Sequence, residues 1–188
     1  MMLWLKSQLR RLPLRNNRGG VMIEFGFAMP LLVLLMLGGV ELGRYVLLHQ
    51  KLDRTAMTVS DLVARVQTVT VADVNTIFTA ANLIMEPFDI SQDGIVYISS
   101  VKEDSGNPKV MWQRSGGGTL SATSLIGTQG SNATISDNDL VDTDQAVIIG
   151  ETFFQYTPWF IDLIPTTTIR KVAVFRPRLT GEVTCGDC

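Results

Sequence analysis

Arg18-Gly19-Gly20-Val21-Met22-Ile23-Glu24-Phe25 opens an apolar run that continues through Met29, Leu31, Leu32, Val33, Leu34, Leu35, Met36 and Leu37 to Val40. Between Val21 and Val40 the only charged residue is Glu24. About twenty helical residues rise about 30 Å, the hydrocarbon thickness of a bilayer. Upstream stand Lys6, Arg10, Arg11, Arg15 and Arg18, with no acid among them. That asymmetry orients a spanning helix with its N-terminus in the cytoplasm, and it places the chain after residue 41 outside a bacterial inner membrane.

The rest of the composition agrees with an anchored globular body. Of 188 residues, 46% are hydrophobic and 18% charged, which excludes a disordered chain. The formal net charge is −2, yet all 18 acidic residues lie beyond residue 20 while five of the 16 bases precede it. A basic leader therefore precedes an acidic body, and no basic surface for nucleic acid is implied.

Glu24 needs a reason. A carboxylate inside a membrane helix costs roughly 2.5–3.5 kcal/mol at the centre, less near the interface, and such a group is normally functional. A plain signal anchor leaves it unexplained. A secretory signal would need a small-residue cleavage pattern after the apolar run, and Val40-Glu41-Leu42 does not supply one. A cut after Gly19 makes Gly20 the new N-terminus and Glu24 its fifth residue; a cut after Gly20 makes Glu24 the fourth. A free α-amino group, with a pKa of about 7.7–8.0, is largely cationic at neutral pH and neutralises a nearby carboxylate.

A basic leader ending in glycine, four residues, Glu24-Phe25 and then an apolar helix resembles a type IV prepilin, and the Gly19-x-x-x-x-Glu24-Phe25 form is similar to the Tad (tight adherence, Flp) branch. Near the C-terminus, a strand running into Tyr156-x-Pro158-x-Phe160, an apolar loop, a Thr-rich strand and Arg176-Pro177-Arg178 resemble the TadE-like pseudopilins. The resemblance implies cleavage by a membrane-embedded prepilin peptidase at Gly19 and Gly20, with Glu24 and Phe25 retained for assembly. It further implies partners among other pilin subunits, Tad inner-membrane assembly proteins and the lipid bilayer, with no cofactor.

No turn signal follows Val40. Leu42, Tyr45, His49, Leu52, Ala56, Val59, Val63 and Val66 recur at spacings of three and four, which predicts that the same helix continues to about Gln67. Arg44, Lys51, Asp53, Arg54, Asp61 and Arg65 occupy its other face, and Pro30 is expected to kink or loosen the membrane half. Thr70-Val71-Ala72-Asp73 reads as a capping box opening a second helix over 71–85, ended by Pro87. Gly94–Val101 and Lys109–Arg114 read as a hairpin turning through residues 103–108, residues 115–139 as loop, and residues 145–156 and 168–175 as two more strands. The fold class is α+β: a long N-terminal helix, a second helix and a four-stranded, mainly antiparallel sheet, the pilin-like arrangement.

The remaining candidates are read as structural. Phe153, Phe154, Tyr156, Trp159 and Phe160 are expected to form core and edge packing, with a contact patch for another subunit as the alternative. Asp137, Asp139, Asp142 and Asp144 crowd one loop without EF-hand spacing, so a solvated acidic loop is preferred over a calcium site. Cys185 and Cys188 read as a disulfide closing a small terminal loop, or as a bridge between subunits. His49, the sole histidine, is expected to be packed, and no nucleophile–base pattern points to catalysis.

These readings divide the chain into a leader (1–19), a transmembrane helix (20–41), its periplasmic extension (42–70), an α+β domain (71–180) and a tail bearing the cysteine pair (181–188). The function they predict is that of a peptidase-processed minor pilin or pseudopilin in a pilus for surface adherence and biofilm formation. The alternatives are a pseudopilin of a related secretion system, or an uncleaved membrane-anchored binding protein.

Overall fold

The computed structural model describes residues 18–135, 141, 145–160, 162 and 164–188. The leader bases Lys6, Arg10, Arg11 and Arg15 and the loop acids Asp137, Asp139, Asp142 and Asp144 lie outside the described residues. Contacts divide the chain into two compact units at Val40/Glu41. Helix α1 (Arg18–Ala64) runs through both, with Pro30 inside it. In the first unit every large apolar side chain of α1 from Val21 to Met36 is exposed, as a surface meant for lipid would be.

The second unit is a helix-on-sheet domain. After α1 come β1 (Thr68–Val69), α2 (Val71–Met85), α3 (Ile90–Asp93), β2 (Gly94–Asp104), β3 (Asn107–Gly116), β4 (Val147–Tyr156), β5 (Thr167–Phe175) and β6 (Thr184–Cys185). The main sheet is antiparallel throughout, in the order β3-β2-β4-β5. α2 begins with the reciprocal capping box between Thr70 and Asp73. The β2–β3 turn is tighter than residues 103–108: Ser105 and Gly106 both take positive φ, the two-residue geometry that matches the twist of a hairpin.

β4 is the centre of the domain, and its alternation serves two cores. Ile148, Phe154 and Tyr156 join Leu48, Leu52, Val59, Val63, Phe78 and Trp112 in the helix-side core. Val147 and Ile149 face a second core of Val101 on β2, Val110 on β3, and Ile126, Ala133 and Val141 from the long connection after β3. A bulge at Ser100/Val101 shifts the pairing of β3, so Trp112 stays on the helix side while Val110 reaches the other.

Three expectations are corrected. α1 stops at Ala64 rather than Gln67, because Gln67 and Val69 give their carbonyls to Thr184 and Gly186 as β1 pairs in parallel with β6. Leu42 and Val66 lie on the exposed side. The buried stripe instead runs through Glu41, Leu48, Leu52, Thr55, Ala56, Val59, Ser60 and Val63. Residues 181–188, read as a tail, are tied in: Trp112 Nε1 donates to Val183 O at 2.8 Å, and Asp187 Oδ1 accepts the Val71 N–H at the start of α2 at 2.8 Å.

α1 approaches β4 closely at Gly150. A Cβ there would overlap Ser60 Oγ and meet the Ala56 carbonyl at 3.0 Å. Gly150→Ala is therefore expected to destabilise the domain by roughly 1–3 kcal/mol, the cost of overpacking. A lowered thermal midpoint of the full-length protein in detergent, followed by near-UV circular dichroism, checks this.

Candidate functional site

Gly19, Gly20, Glu24 and Phe25 all lie in the first turns of α1. Gly20 and Glu24 are four residues apart, so they share one helix face. A Cβ at either glycine meets nothing within 4 Å, and Glu24 and Phe25 are exposed. Each glycine weakens a helix by about 1 kcal/mol relative to alanine.

A second carboxylate, Glu41, which the sequence reading passed over as the end of the apolar run, is wholly buried. It occupies the position that continues the observed stripe of Leu48, Leu52 and Thr55 backwards, which was the available signal. Its Oε1 accepts the Tyr156 hydroxyl, while Oε2 accepts the backbone N–H groups of Trp159 and Phe160 at 3.1 and 3.3 Å. Arg44 Nη1 lies 3.6 Å from Oε1 and donates to Thr157 O at 3.0 Å. The Arg44 guanidinium also stacks over the Trp159 ring, 3.9 Å from its centroid. Tyr156 ends β4, and Pro158 has no N–H of its own, so the next two amides are the ones turned to the carboxylate. A buried charge is tolerated when its lone pairs are filled in this way.

With this geometry in place, residues 19–60 match the family model of TadE-like proteins. That segment is TadE-like. The matched segment begins at Gly19, spans the apolar run and includes Glu24, Glu41 and Arg44. No curated protein and no solved structure matches the chain. The Tyr156-x-Pro158-x-Phe160 motif lies outside the matched segment, yet its hydrogen bonds run directly to Glu41 within it.

The other candidates are distributed as follows. The aromatic cluster is split: Phe153, Phe154 and Tyr156 are core, whereas Trp159 is 70% and Phe160 54% exposed. Expected packing therefore holds for only part of it, because the Glu41 tie turns the chain outward after Pro158. His49 packs edge-on to Tyr45 with centroids 4.6 Å apart. Burial, and then the charge of Lys171, pulls the His49 pKa below its ordinary value. The cysteine sulfurs of Cys185 and Cys188 are joined to each other. Asp187 lies near both, but a metal would have to compete with that bond.

Lys51 and Asp53 of the α1 extension work as tertiary ties. Lys51 Nζ donates to Ile84 O at 2.9 Å, and Asp53 pairs with Lys171 at 2.9 Å. Buried Glu151 on β4 takes Arg170 from β5 and the Ser124 hydroxyl, so it clamps the long connection to the sheet.

Burial first, then the hydrogen bond to Glu41 and its charge, pushes the Tyr156 pKa up to about 12. Because the folded-state pKa exceeds the unfolded one of about 10, this stabilisation is complete below pH 10 and is lost as pH rises through 12. Tyr156→Phe should delete the last phenol step in an alkaline ultraviolet titration. It should also cost about 1–3 kcal/mol in a denaturant melt, since the buried carboxylate loses a donor.

Proposed function

We propose that this chain is a minor pilin or pseudopilin of a Tad-type pilus. It is made with a basic leader, cut by a prepilin peptidase between Gly19 and Gly20, and assembled through its apolar helix. The observation that carries this reading is one coincidence: Gly19 and Glu24 stand at prepilin spacing on a helix whose apolar surface is exposed all round to Met36. Among the described residues α1 is the helix long and apolar enough to cross a membrane, which is compatible with a single-pass anchor.

Each part has a mechanical role in the proposal. The leader bases resist entry into the bilayer and hold the subunit at the cytosolic face until cleavage. Cleavage creates the Gly20 amine, which a neighbouring subunit presents to Glu24 inside an apolar bundle, setting the stagger between helices. Gly38, Gly39 and Gly43, where added Cβ atoms meet nothing, leave room for close helix approach. The domain beyond Glu41 is carried as cargo on this helix. The proposed partners are the peptidase, other pilin subunits and Tad inner-membrane assembly proteins; the outcome is a pilus for adherence and biofilm. The role is non-enzymatic. An anchored binding protein using the aromatic cluster is disfavoured, because Phe153, Phe154 and Tyr156 are core residues.

The intact mass of membrane-extracted protein, with and without the peptidase, tests the reading. A peptidase-dependent loss of residues 1–19 is expected, and an unchanged mass in both strains overturns it. Glu24→Ala should leave membrane insertion intact and abolish pilus assembly, as scored by piliation in a complementation strain.

A further inference from the structure

Trp159 and Phe160 stand in solvent in the second unit, 70% and 54% exposed, yet the backbone that carries them is held fast. Both of their N–H groups are bound by buried Glu41, Thr157 O is held by Arg44 at 3.0 Å, and the Arg44 guanidinium lies 3.9 Å from the Trp159 ring centroid. Exposed large aromatics on a fixed backbone are a surface built for contact. The tie runs to Glu41, which follows Val40 directly in α1 and so marks where the lipid-facing run ends. Rings tied to that residue are carried to the depth at which the helix leaves the hydrocarbon. Tryptophan concentrates at that depth in membrane proteins because its ring is apolar while its N–H needs a polar partner. The Arg44 guanidinium, paired with Glu41 and only 17% exposed, braces the indole from the domain side.

We propose that Trp159, Phe160 and Arg44 form a foot that sits in the headgroup layer of the bilayer and fixes how the domain stands on it. The occupant of this surface is lipid. The proposal rests on Val21–Val40 crossing the membrane, and it is independent of peptidase cleavage.

The test uses full-length protein in phosphatidylethanolamine–phosphatidylglycerol vesicles, with and without phospholipid brominated high in the acyl chain. The chain has 3 tryptophans, of which Trp112 is buried and bonded to Val183. Subtracting the emission of Trp4→Phe/Trp159→Phe from that of Trp4→Phe therefore isolates Trp159. The expected Trp159 emission is blue-shifted, strongly quenched by brominated lipid and several-fold less sensitive to acrylamide than free indole. Emission at the water wavelength, with no lipid quenching and full acrylamide access, overturns the proposal. Protection from acrylamide that depends on protein density, without lipid quenching, assigns the patch to a second copy and also overturns it. An alkaline carbonate wash separates the two ideas: retained protein with a water-exposed Trp159 sinks the foot alone, while released protein sinks the span and the foot together.

Discussion

The Glu41 carboxylate is buried at the point where α1 changes from a helix exposed on every side to one that faces a sheet. A charge removed from water at that position is stable only while the Tyr156 hydroxyl and the Trp159 and Phe160 amides are aimed at it. Those donors exist in place only if β4 ends at Tyr156 and Pro158 turns the chain. The carboxylate therefore fixes the position of β4 along α1. The stripe from Leu48 to Val63 then lies on β4 and β5, with Gly150 giving the space for close approach.

Two carboxylates of α1 thus have opposite circumstances. Glu41 is satisfied inside its own chain. Glu24 is exposed on the apolar segment and has no ionic partner among the described residues. An apolar medium makes the second arrangement costly unless another molecule supplies a positive group. The contrast is what supports an assembly role for Glu24 and a positioning role for Glu41.

The C-terminal residues are tied back into the domain. β6 pairs with β1, Asp187 caps the start of α2, and Arg178 N donates to Ala64 O at 2.9 Å, closing the end of α1. The Cys185–Cys188 bond encloses Asp187, so it limits the motion of the residue that caps α2. Because that loop is small, its effect on the unfolded chain is limited, and its local effect on the cap matters more.

Local patterns made much of this protein legible. The membrane-length run from Val21 to Val40, the capping box at Thr70 and Asp73, and the alternating strands of an α+β fold are properties of neighbouring residues. Their periods can be counted along the sequence. Glu24 was equally visible, because a charge in an apolar run stands out without any partner. Glu41 was not. Its donors come from residues 115, 118 and 119 positions away, and a carboxylate that ends an apolar run looks the same whether it meets water or a buried hydroxyl. The exposure of Trp159 and Phe160 was hidden for the same reason. Hydrophobicity says that a ring prefers to leave water, but only the tie from Glu41 to the backbone after Pro158 decided that these rings point outward while Phe154 and Tyr156 point in.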